Sequence, residues 1–413
     1  MKNKQIKVEE FSETTSHIKR GVLKRDGTRV FTTIAKNYTN KLKLDSASAF
    51  DYEWLRLKSK PETDTSTGHV RVVDLFSGAG GFSIGITEAC RALGFTHESV
   101  FANDIDKKIL DIYALNFPEA KCIATPIEEI LDRNCGEPFS RMETQLQKDI
   151  GQIDILVGGP PCQGHSDLNN HTRREDPKNE LYLKMARFCE IIRPRHVIIE
   201  NVPGVLHDKK QVAQRTWSQL KEMGYKVDSG VINANEIGVA QNRKRSITLA
   251  SLETEVNIED YRIESKINTR DLSWAIKDLT KNKPETILDT PPTLSTENKV
   301  RIDYLFDNNL FDLPDSERPD CHRLKKHTYK SVYGRLNWEL PSPTLTTGFG
   351  VPGRGRYIHP GSRRAITLHE GARIQYFPDF FQFPLKSRTL VQKVIGNAIP
   401  SRLGYTLALH LLR

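Results

Sequence analysis

The stretch VVDLFSGAGG, at residues 72–81, decides the fold. Its first half is a short apolar run rich in β-branched residues, which indicates a buried strand. The glycines that follow permit a tight turn and close approach of a ligand to the backbone, and a helical pattern runs from Phe82 to Leu93. The spacing Gly78-x-Gly80-Gly81 lacks the third glycine of the dinucleotide fingerprint. Taken alone, the stretch fits a ligand-free strand–helix turn equally well.

The alternation of strands and helices continues beyond this turn. Further buried strands are predicted at Ser99–Ala102, Ile153–Val157, His196–Ile199, Lys226–Ile232 and Ser246–Ala250, and helices at Lys107–Asn116, Glu180–Ile192 and Gln211–Met223. This rhythm predicts an α/β fold whose sheet is mostly parallel, doubly wound and Rossmann-like, with helices on both faces.

Changes in composition divide the chain into four segments. Residues 1–68 are polar, with Asp-Gly turn chemistry at Arg25-Asp26-Gly27-Thr28 that predicts a hairpin. Leu403, Leu407 and Leu411 recur at i+4 spacing and predict a closing amphipathic helix. We expect an N-terminal extension of unknown role at 1–68, a catalytic and cofactor-binding domain at 69–251, a smaller irregular domain at 252–365, and a C-terminal segment at 366–413.

The net charge of +9 suggests either a solvated basic surface or a polyanionic partner. Clustering favours the second interpretation, and the clustered residues are Arg318, Arg323, Lys325, Lys326 and Lys330, then Arg354, Arg356, Arg363 and Arg364. No apolar run approaches the ~20 residues that span a bilayer, and the start does not resemble a secretory signal. The six cysteines form no CxxC pair, so no metal site is expected.

A carboxylate ends the second predicted strand, in the run Asn103-Asp104-Ile105-Asp106. At this position an acid can accept hydrogen bonds from both hydroxyls of a ribose. Asp104 or Asp106 could instead cap the helix that follows. The glycine turn and the acidic strand end together favour an adenosine-type ligand.

Later strands carry reactive side chains to the same edge of the sheet. The third strand leads into GGPPC at 158–162, and the fourth ends near Glu200. Ligands of open α/β sheets bind beyond the carboxyl ends of the strands, so Cys162 lies where chemistry is expected. Since side chains alternate along a strand, Arg243 and Arg245 are predicted to enter one site. Each residue alone has an ordinary alternative: a structural cysteine, a capping carboxylate or a solvated basic strand end.

Together these motifs closely resemble the DNA (cytosine-5)-methyltransferase family. The matching blocks are DLFSGAGG at 74–81, GGPPCQG at 158–164, ENV at 200–202, QNRKR at 241–245 and GNAIP at 396–400, with Arg373, Gln375, Phe377 and Pro378 ahead of the last. The resemblance runs over residues 69–413, apart from the variable segment at 252–365. It implies a class I S-adenosylmethionine-dependent methyltransferase fold in which that segment recognises the target.

The resemblance also implies covalent catalysis. Cys162 would add to carbon 6 of a flipped cytosine, Glu200 would hydrogen-bond ring nitrogen 3, and Arg243 and Arg245 would hold the base or its backbone. S-adenosylmethionine would be the methyl donor, S-adenosylhomocysteine the product, and no metal would take part. The donor pocket would be lined by Phe76, Gly78, Gly80, Asp104, Ile105, Leu181 and Asn397. One departure is Thr125-Pro126-Ile127, where many members carry an acidic residue that contacts adenine.

Double-stranded DNA is therefore the expected substrate, contacted through the run from Pro343 to Phe349, the arginine-rich loops after it and the clustered cations. Three alternatives stay open: a tRNA cytosine-5 methyltransferase, a catalytically inactive DNA-binding protein and a dinucleotide-dependent oxidoreductase. The family often serves restriction–modification or other anti-phage systems, so a cognate restriction endonuclease or other defence proteins are candidate partners. We expect a monomeric, cytoplasmic, nucleoid-associated prokaryotic protein without membrane contact.

Overall fold

The computed structural model of the chain describes residues 7–39, 42–63, 67–161, 177–324, 331–384 and 387–413. The first elements are an antiparallel sheet and a helix: β1 (Glu9–Glu13), β2 (His17–Leu23), β3 (Arg29–Ala35) and α1 (Ser46–Leu55). The predicted hairpin joins β2 to β3. Its turn is closed by Asp26 Oδ1, which accepts hydrogen bonds from the N–H and the hydroxyl of Thr28 at 2.8 and 2.6 Å.

The predicted alternation is confirmed in the next part of the chain. Its elements are β4 (Gly68–Leu75), α2 (Gly81–Ala92), β5 (Phe95–Asn103), α3 (Lys107–Asn116), β6 (Lys121–Ile123), α4 (Ile127–Ile130), α5 (Arg141–Ile150), β7 (Ile155–Gly158), α6 (Leu181–Ile192), β8 (His196–Asn201), α7 (Val212–Glu222), β9 (Lys226–Asn233), β10 (Gln241–Asn242) and β11 (Lys244–Ser251). The main sheet has the order β6-β5-β4-β7-β8-β11-β9. Neighbouring strands run parallel, except that β11 is antiparallel to both β8 and β9.

Both faces of this sheet are covered, which explains why its strands read as continuous apolar runs. Val70 and Val72 of β4 pack in the core cluster that contains Ile84 of α2. Leu75 of the same strand packs in a second cluster with Phe188 of α6. The predicted α/β class is therefore confirmed.

The chain after β11 is built from short elements: α8 (Ile258–Ser265), α9 (Leu272–Ile276), α10 (Thr296–Asp307), α11 (Asp320–Arg323), β12 (Gly334–Arg335), β13 (Ser342–Pro343) and β14 (Arg356–Ile358). Tyr261 of α8 and Trp274 of α9 share the large core of the central sheet. Ile302, Leu305 and Ile358 belong to a separate small cluster. The domain boundary predicted at residue 252 stays a prediction. The first buried residue of the separate cluster, Ile302, lies in α10.

The chain closes with α12 (Leu368–Ile374), α13 (Arg388–Asn397) and α14 (Ser401–Leu412). The predicted closing helix is confirmed as α14, which packs against α2. The two helices approach at glycines, because a Cβ at Gly85 would lie 2.0 Å from the Ser401 carbonyl oxygen. A Cβ at Gly404 would lie 2.7 Å from the Phe82 carbonyl oxygen. This contact places the GNAIP segment beside the glycine-rich turn.

The N-terminal sheet packs on the same two helices. Arg20 of β2 is buried and donates hydrogen bonds to Glu88 of α2 at 2.7 Å and to the Tyr405 hydroxyl of α14 at 3.2 Å. Arg25 reaches the His410 carbonyl oxygen at 2.7 Å. Residues 9–35 are therefore joined to α2 and α14 by buried and partly buried polar contacts. Within the described residues, every helix is too short or too polar to span a bilayer.

Candidate active site

The glycine-rich turn after β4 lies against the end of β5. The Gly78 N–H donates to Asp104 Oδ2 at 3.0 Å, and the Ser77 N–H donates to the Asn103 carbonyl at 2.9 Å. Gly80 has φ of 90°, and a Cβ there would lie 2.7 Å from the Phe117 ring, so this position requires glycine. A Cβ at Gly78 would meet nothing within 4 Å. The turn is thus fixed by Gly80 and leaves open space beside Gly78.

The two carboxylates after β5 have different roles. Asp106 caps α3 by accepting a hydrogen bond from the Lys108 N–H at 3.1 Å. Asp104 accepts backbone N–H groups at both oxygens, from Gly78 and, at 2.9 Å, from Asp106. Burial raises the pKa of Asp104, and these two N–H donors oppose the rise. The helix-cap interpretation therefore applies to Asp106 and leaves Asp104 able to accept further donors.

Ile105, between these carboxylates, exposes 71% of its surface. Such an apolar side chain beside a carboxylate and an open glycine turn fits the flat face of a purine. Phe76 has φ of 55° and packs in the same apolar cluster as Leu181, the first residue of α6. Asn397 is the exposed last residue of α13. That helix is joined to the start of α3 by Lys393, whose Nζ lies 2.8 Å from Asp106 Oδ2.

A buried carboxylate and an arginine meet at the end of β8. Glu200 Oε1 lies 2.6 Å from Arg245 Nε of β11. The other oxygen, Oε2, faces Gly159, the residue directly after β7, because it lies 3.3 Å from the position that a Cβ at Gly159 would take. The side chain of Asn201 donates to the Pro160 carbonyl at 3.2 Å. Glu200 therefore borders the segment that leads into Cys162; Cys162 itself and residues 163–176 lie outside the described residues.

Arg243, which was predicted to enter one site with Arg245, makes different contacts from Arg245. Arg243 is 3% exposed. Its guanidinium donates to the Leu345 carbonyl at 3.0 Å and to the Gly396 carbonyl at 3.4 Å. Burial, reinforced by the charge of Arg245, holds the pKa of Arg243 well below its usual range. Arg243 therefore joins the end of the central sheet to the variable segment and to the GNAIP motif.

A family model described as "C-5 cytosine-specific DNA methylase" matches residues 70–413. The chain belongs to this family. The Type II methyltransferase M1.BsuMI of Bacillus subtilis is 44% identical to the methylase over 407 residues, which cover 98% of this chain and 95% of that protein. The Type II methylase M.HgiDII of Herpetosiphon aurantiacus is 30% identical, with 83% of this chain and 95% of that protein covered.

Solved structures share the fold of the methylase. A candidate DNA modification methyltransferase encoded within a prophage of E. coli aligns with a TM-score of 0.58 and 22% identity, covering 83% of this chain and 98% of that one. The Dnmt2 methyltransferase of S. pombe aligns with a TM-score of 0.54 and 19% identity at the same coverage. Both likenesses show the architecture alone.

The methylase also contains a buried pair of glutamines for which the sequence analysis predicted no role. Gln241 Nε2 donates to Gln375 Oε1 at 2.8 Å, and Gln241 Oε1 accepts the Leu345 N–H at 2.9 Å. Gln375 in turn donates to the Ile395 and Ala398 carbonyls at 2.7 and 3.0 Å. Both glutamines occur in the quoted motifs, and that was the available signal. Among the described residues, no group of three or more His, Cys, Asp or Glu side chains is arranged to hold a metal ion.

Proposed function

We propose that this methylase transfers the methyl group of S-adenosylmethionine to carbon 5 of a cytosine in double-stranded DNA, through a transient bond between Cys162 and carbon 6. The observation that carries the proposal is the Glu200–Arg245 pair, whose second carboxylate oxygen lies 3.3 Å from the position that a Cβ at Gly159 would take, three residues before Cys162. A nucleophile, an acid and a cation are the groups that this reaction needs.

The chemistry assigned to these residues balances in four steps. The Cys162 thiolate adds to carbon 6 while the carboxyl group of Glu200, in its protonated form, donates its proton to ring nitrogen 3. Carbon 5 thereby becomes nucleophilic and would take the methyl group from the sulfonium sulfur, so that S-adenosylhomocysteine leaves. The proton on carbon 5 is then lost to solvent or base. Elimination of Cys162 returns the thiolate, and ring nitrogen 3 gives its proton back to Glu200, which restores the neutral aromatic ring.

Arg245 and Arg243 have separate roles in this proposal. Arg245 holds Glu200 in one orientation through a charge-assisted hydrogen bond in a nearly dry site. Arg243 is a positioning residue, because its two contacts are backbone carbonyls of distant segments. In this proposal the charge of Arg243 would also favour the thiolate form of Cys162, since nearby cations lower a cysteine pKa.

The donor would bind at the glycine-rich turn and supplies an electrophilic methyl group on a sulfonium sulfur. The residues at this turn fit S-adenosylmethionine. Asp104 can accept hydrogen bonds from the ribose hydroxyls, the exposed Ile105 can pack on adenine, and the space beside Gly78 admits the ligand backbone. Phe76, Gly80, Leu181 and Asn397 would complete the pocket. S-adenosylhomocysteine would be the released product.

The substrate cytosine would have to leave the duplex, at a cost of roughly a few kcal/mol, because carbon 6 is inaccessible within the stack. The relative at 44% identity is named a Type II methyltransferase, which supports a restriction–modification role and a cognate endonuclease. In that role the protein would act in the cytoplasm, where its methylation of nucleoid DNA would protect that DNA from the endonuclease.

The test is methyl transfer by the full-length protein from labelled donor into separate DNA and tRNA pools, with Cys162→Ser as the matched control. We expect label in DNA alone. Digestion to nucleosides and mass spectrometry should give 5-methylcytosine, and bisulfite sequencing should place it in one sequence context. Label in tRNA alone, in another base, or in neither pool would refute the proposal.

A further inference from the structure

Most arginines of the two basic clusters are engaged within the protein. In the described residues, Arg363 bonds Asp303 and Asp307 at 3.0 and 2.6 Å, and Arg364 bonds Glu370 at 2.6 Å. The further pairs are Arg318 with Asp315, Arg323 with Asp320 and Arg356 with Asp312. Formal charge therefore overstates how many of these cations are available to DNA.

Arg354 is different from its neighbours. Its side chain is exposed, and its guanidinium makes no hydrogen bond or ion pair with any residue that the structure describes. It ends a short helical turn at Pro352–Arg354, in which its own N–H donates to the Val351 carbonyl at 3.0 Å. Five N–H donors of a planar fork are thus left for a ligand.

The backbone around Arg354 is closely packed. A Cβ at Gly348 would lie 2.4 Å from Arg354 Cδ, so the aliphatic stem packs directly on that glycine. The flanking glycines lie against tyrosines. A Cβ at Gly353 would lie 2.8 Å from the Tyr333 hydroxyl, and a Cβ at Gly355 would lie 2.5 Å from the Tyr357 ring. A side chain held by its stem loses little entropy when its head binds.

This support is continuous with the candidate active site. Gly348 follows Leu345 by three residues, so the two lie within about 11 Å of each other. The Leu345 carbonyl accepts the hydrogen bond from Arg243, and Arg245 of the adjoining strand pairs with Glu200. The connecting loop is anchored to α13 as well, because Gln392 donates to the Thr347 carbonyl at 2.9 Å.

We propose that Arg354 reads a guanine in the major groove, close to the cytosine that is methylated. The inference rests on the proposed function. A guanidinium fork matches the O6 and N7 acceptors of guanine, and a fixed stem suits base reading, which depends on angle. A contact to a phosphate, by contrast, needs only a positive charge on a flexible side chain.

The experiment compares the sequence preference of full-length variants. A randomised duplex library is methylated with S-adenosylmethionine and read by bisulfite sequencing for wild type, Arg354→Ala and Arg354→Lys. Arg363→Ala is the matched control, since Arg363 is 48% exposed in the same region but held by two aspartates. Binding to the preferred duplex is measured between 50 and 200 mM salt.

In Arg354→Ala we expect the preference for guanine at one position to fall by roughly 5- to 100-fold, with the other positions unchanged. Arg354→Lys should retain part of the preference, and Arg363→Ala all of it. An unchanged pattern in Arg354→Ala overturns the assignment. So does a uniform loss across all sequences with a salt slope smaller by about 0.9, which marks a phosphate contact. A variant that melts like wild type but methylates nothing also overturns it, whereas inactivity of the wild type would refute the proposed function itself.

Discussion

Arg245 Nε lies 2.6 Å from Glu200 Oε1, and the two side chains are only 12% and 11% exposed. The contact joins adjacent antiparallel strands, β11 and β8, at the edge where β7 also ends. In such a dry site the ion pair orients the carboxyl group more than it stabilises the fold, because desolvation offsets much of the Coulomb attraction. The remaining oxygen therefore faces Gly159 in a fixed direction.

Replacing this carboxyl group should affect chemistry without affecting donor binding. We expect Glu200→Ala to lower kcat by roughly 10²- to 10⁴-fold, because the acid that assists ring nitrogen 3 is lost. The Kd for S-adenosylhomocysteine, measured by calorimetry, should stay within about twofold of wild type. The matched control is Glu253→Ala, a carboxylate 47% exposed just beyond β11. A kcat equal to that of the control would remove Glu200 from the mechanism.

The covalent step can be trapped chemically. A duplex with 5-fluorocytosine at the methylated position should form a stable adduct, because fluorine on carbon 5 cannot leave as a proton. Denaturing electrophoresis should show this adduct for wild type in the presence of the donor and not for Cys162→Ser. Cys321→Ser, which changes an exposed cysteine, should be trapped like wild type. Absence of any adduct at the true target would disprove the role of Cys162.

The central sheet could be predicted because its strands obey a local rule. The inner strands β7 and β8 are short, mostly apolar runs buried along their whole length, and the predicted bounds of α3 agree with the structure. Helix α1 could not be predicted in this way, because its last eight residues are all buried, including Asp51 and Glu53. Asp51 forms ion pairs with Arg270 and Arg402, at 2.5 and 2.9 Å. The residue pattern of α1 cannot reveal these partners, because they lie more than 200 residues away in the sequence.

The candidate site, too, could be predicted from the sequence only in part. Asp104 and Glu200 follow from the rule that ligands bind beyond strand ends. The direction of Arg243 does not follow, because this residue lies between β10 and β11, where the alternation of side chains is interrupted. Its partners, the carbonyls of Leu345 and Gly396, are more than 100 residues away in sequence. The identity of motif residues predicted the chemistry, and tertiary packing decided which arginine contacts the carboxylate.

The exposed side chain of Ile105 permits a test that separates donor binding from folding. We expect Ile105→Asn to weaken S-adenosylhomocysteine binding by roughly tenfold, since covering part of an isoleucine is worth about 1–2 kcal/mol. Because Ile105 is 71% exposed, the melting temperature without ligand should not fall. Val300→Asn, at a residue 61% exposed on α10, is the control. Equal affinities of the two variants would place adenine elsewhere.

The N-terminal sheet should be necessary for the stability of the catalytic region. Arg20→Met removes a buried partner of Glu88, and breaking such a pair costs about 3 kcal/mol. Arg29→Met on the neighbouring strand removes an exposed pair with Glu10 and should cost less than about 1 kcal/mol. Urea unfolding of both variants measures the difference. Equal losses of unfolding free energy in the two variants would mean that the buried contacts of Arg20 do not stabilise the packing of the N-terminal sheet on α2 and α14.

The same network predicts a pH dependence. Burial favours the neutral form of Glu88, but Arg91 and Arg20 outweigh it and lower the pKa of this carboxyl group to about 2. Since the folded pKa lies below the unfolded value, the stabilisation is complete above pH ~4.5 and is lost as the pH falls toward ~2. The difference in unfolding free energy between wild type and Glu88→Gln should therefore shrink on acidification, by up to roughly 3 kcal/mol over the whole window. Urea titrations from pH 6 to pH 3 measure this change, and a difference that stays constant would show that Glu88 is not ionised in the folded protein.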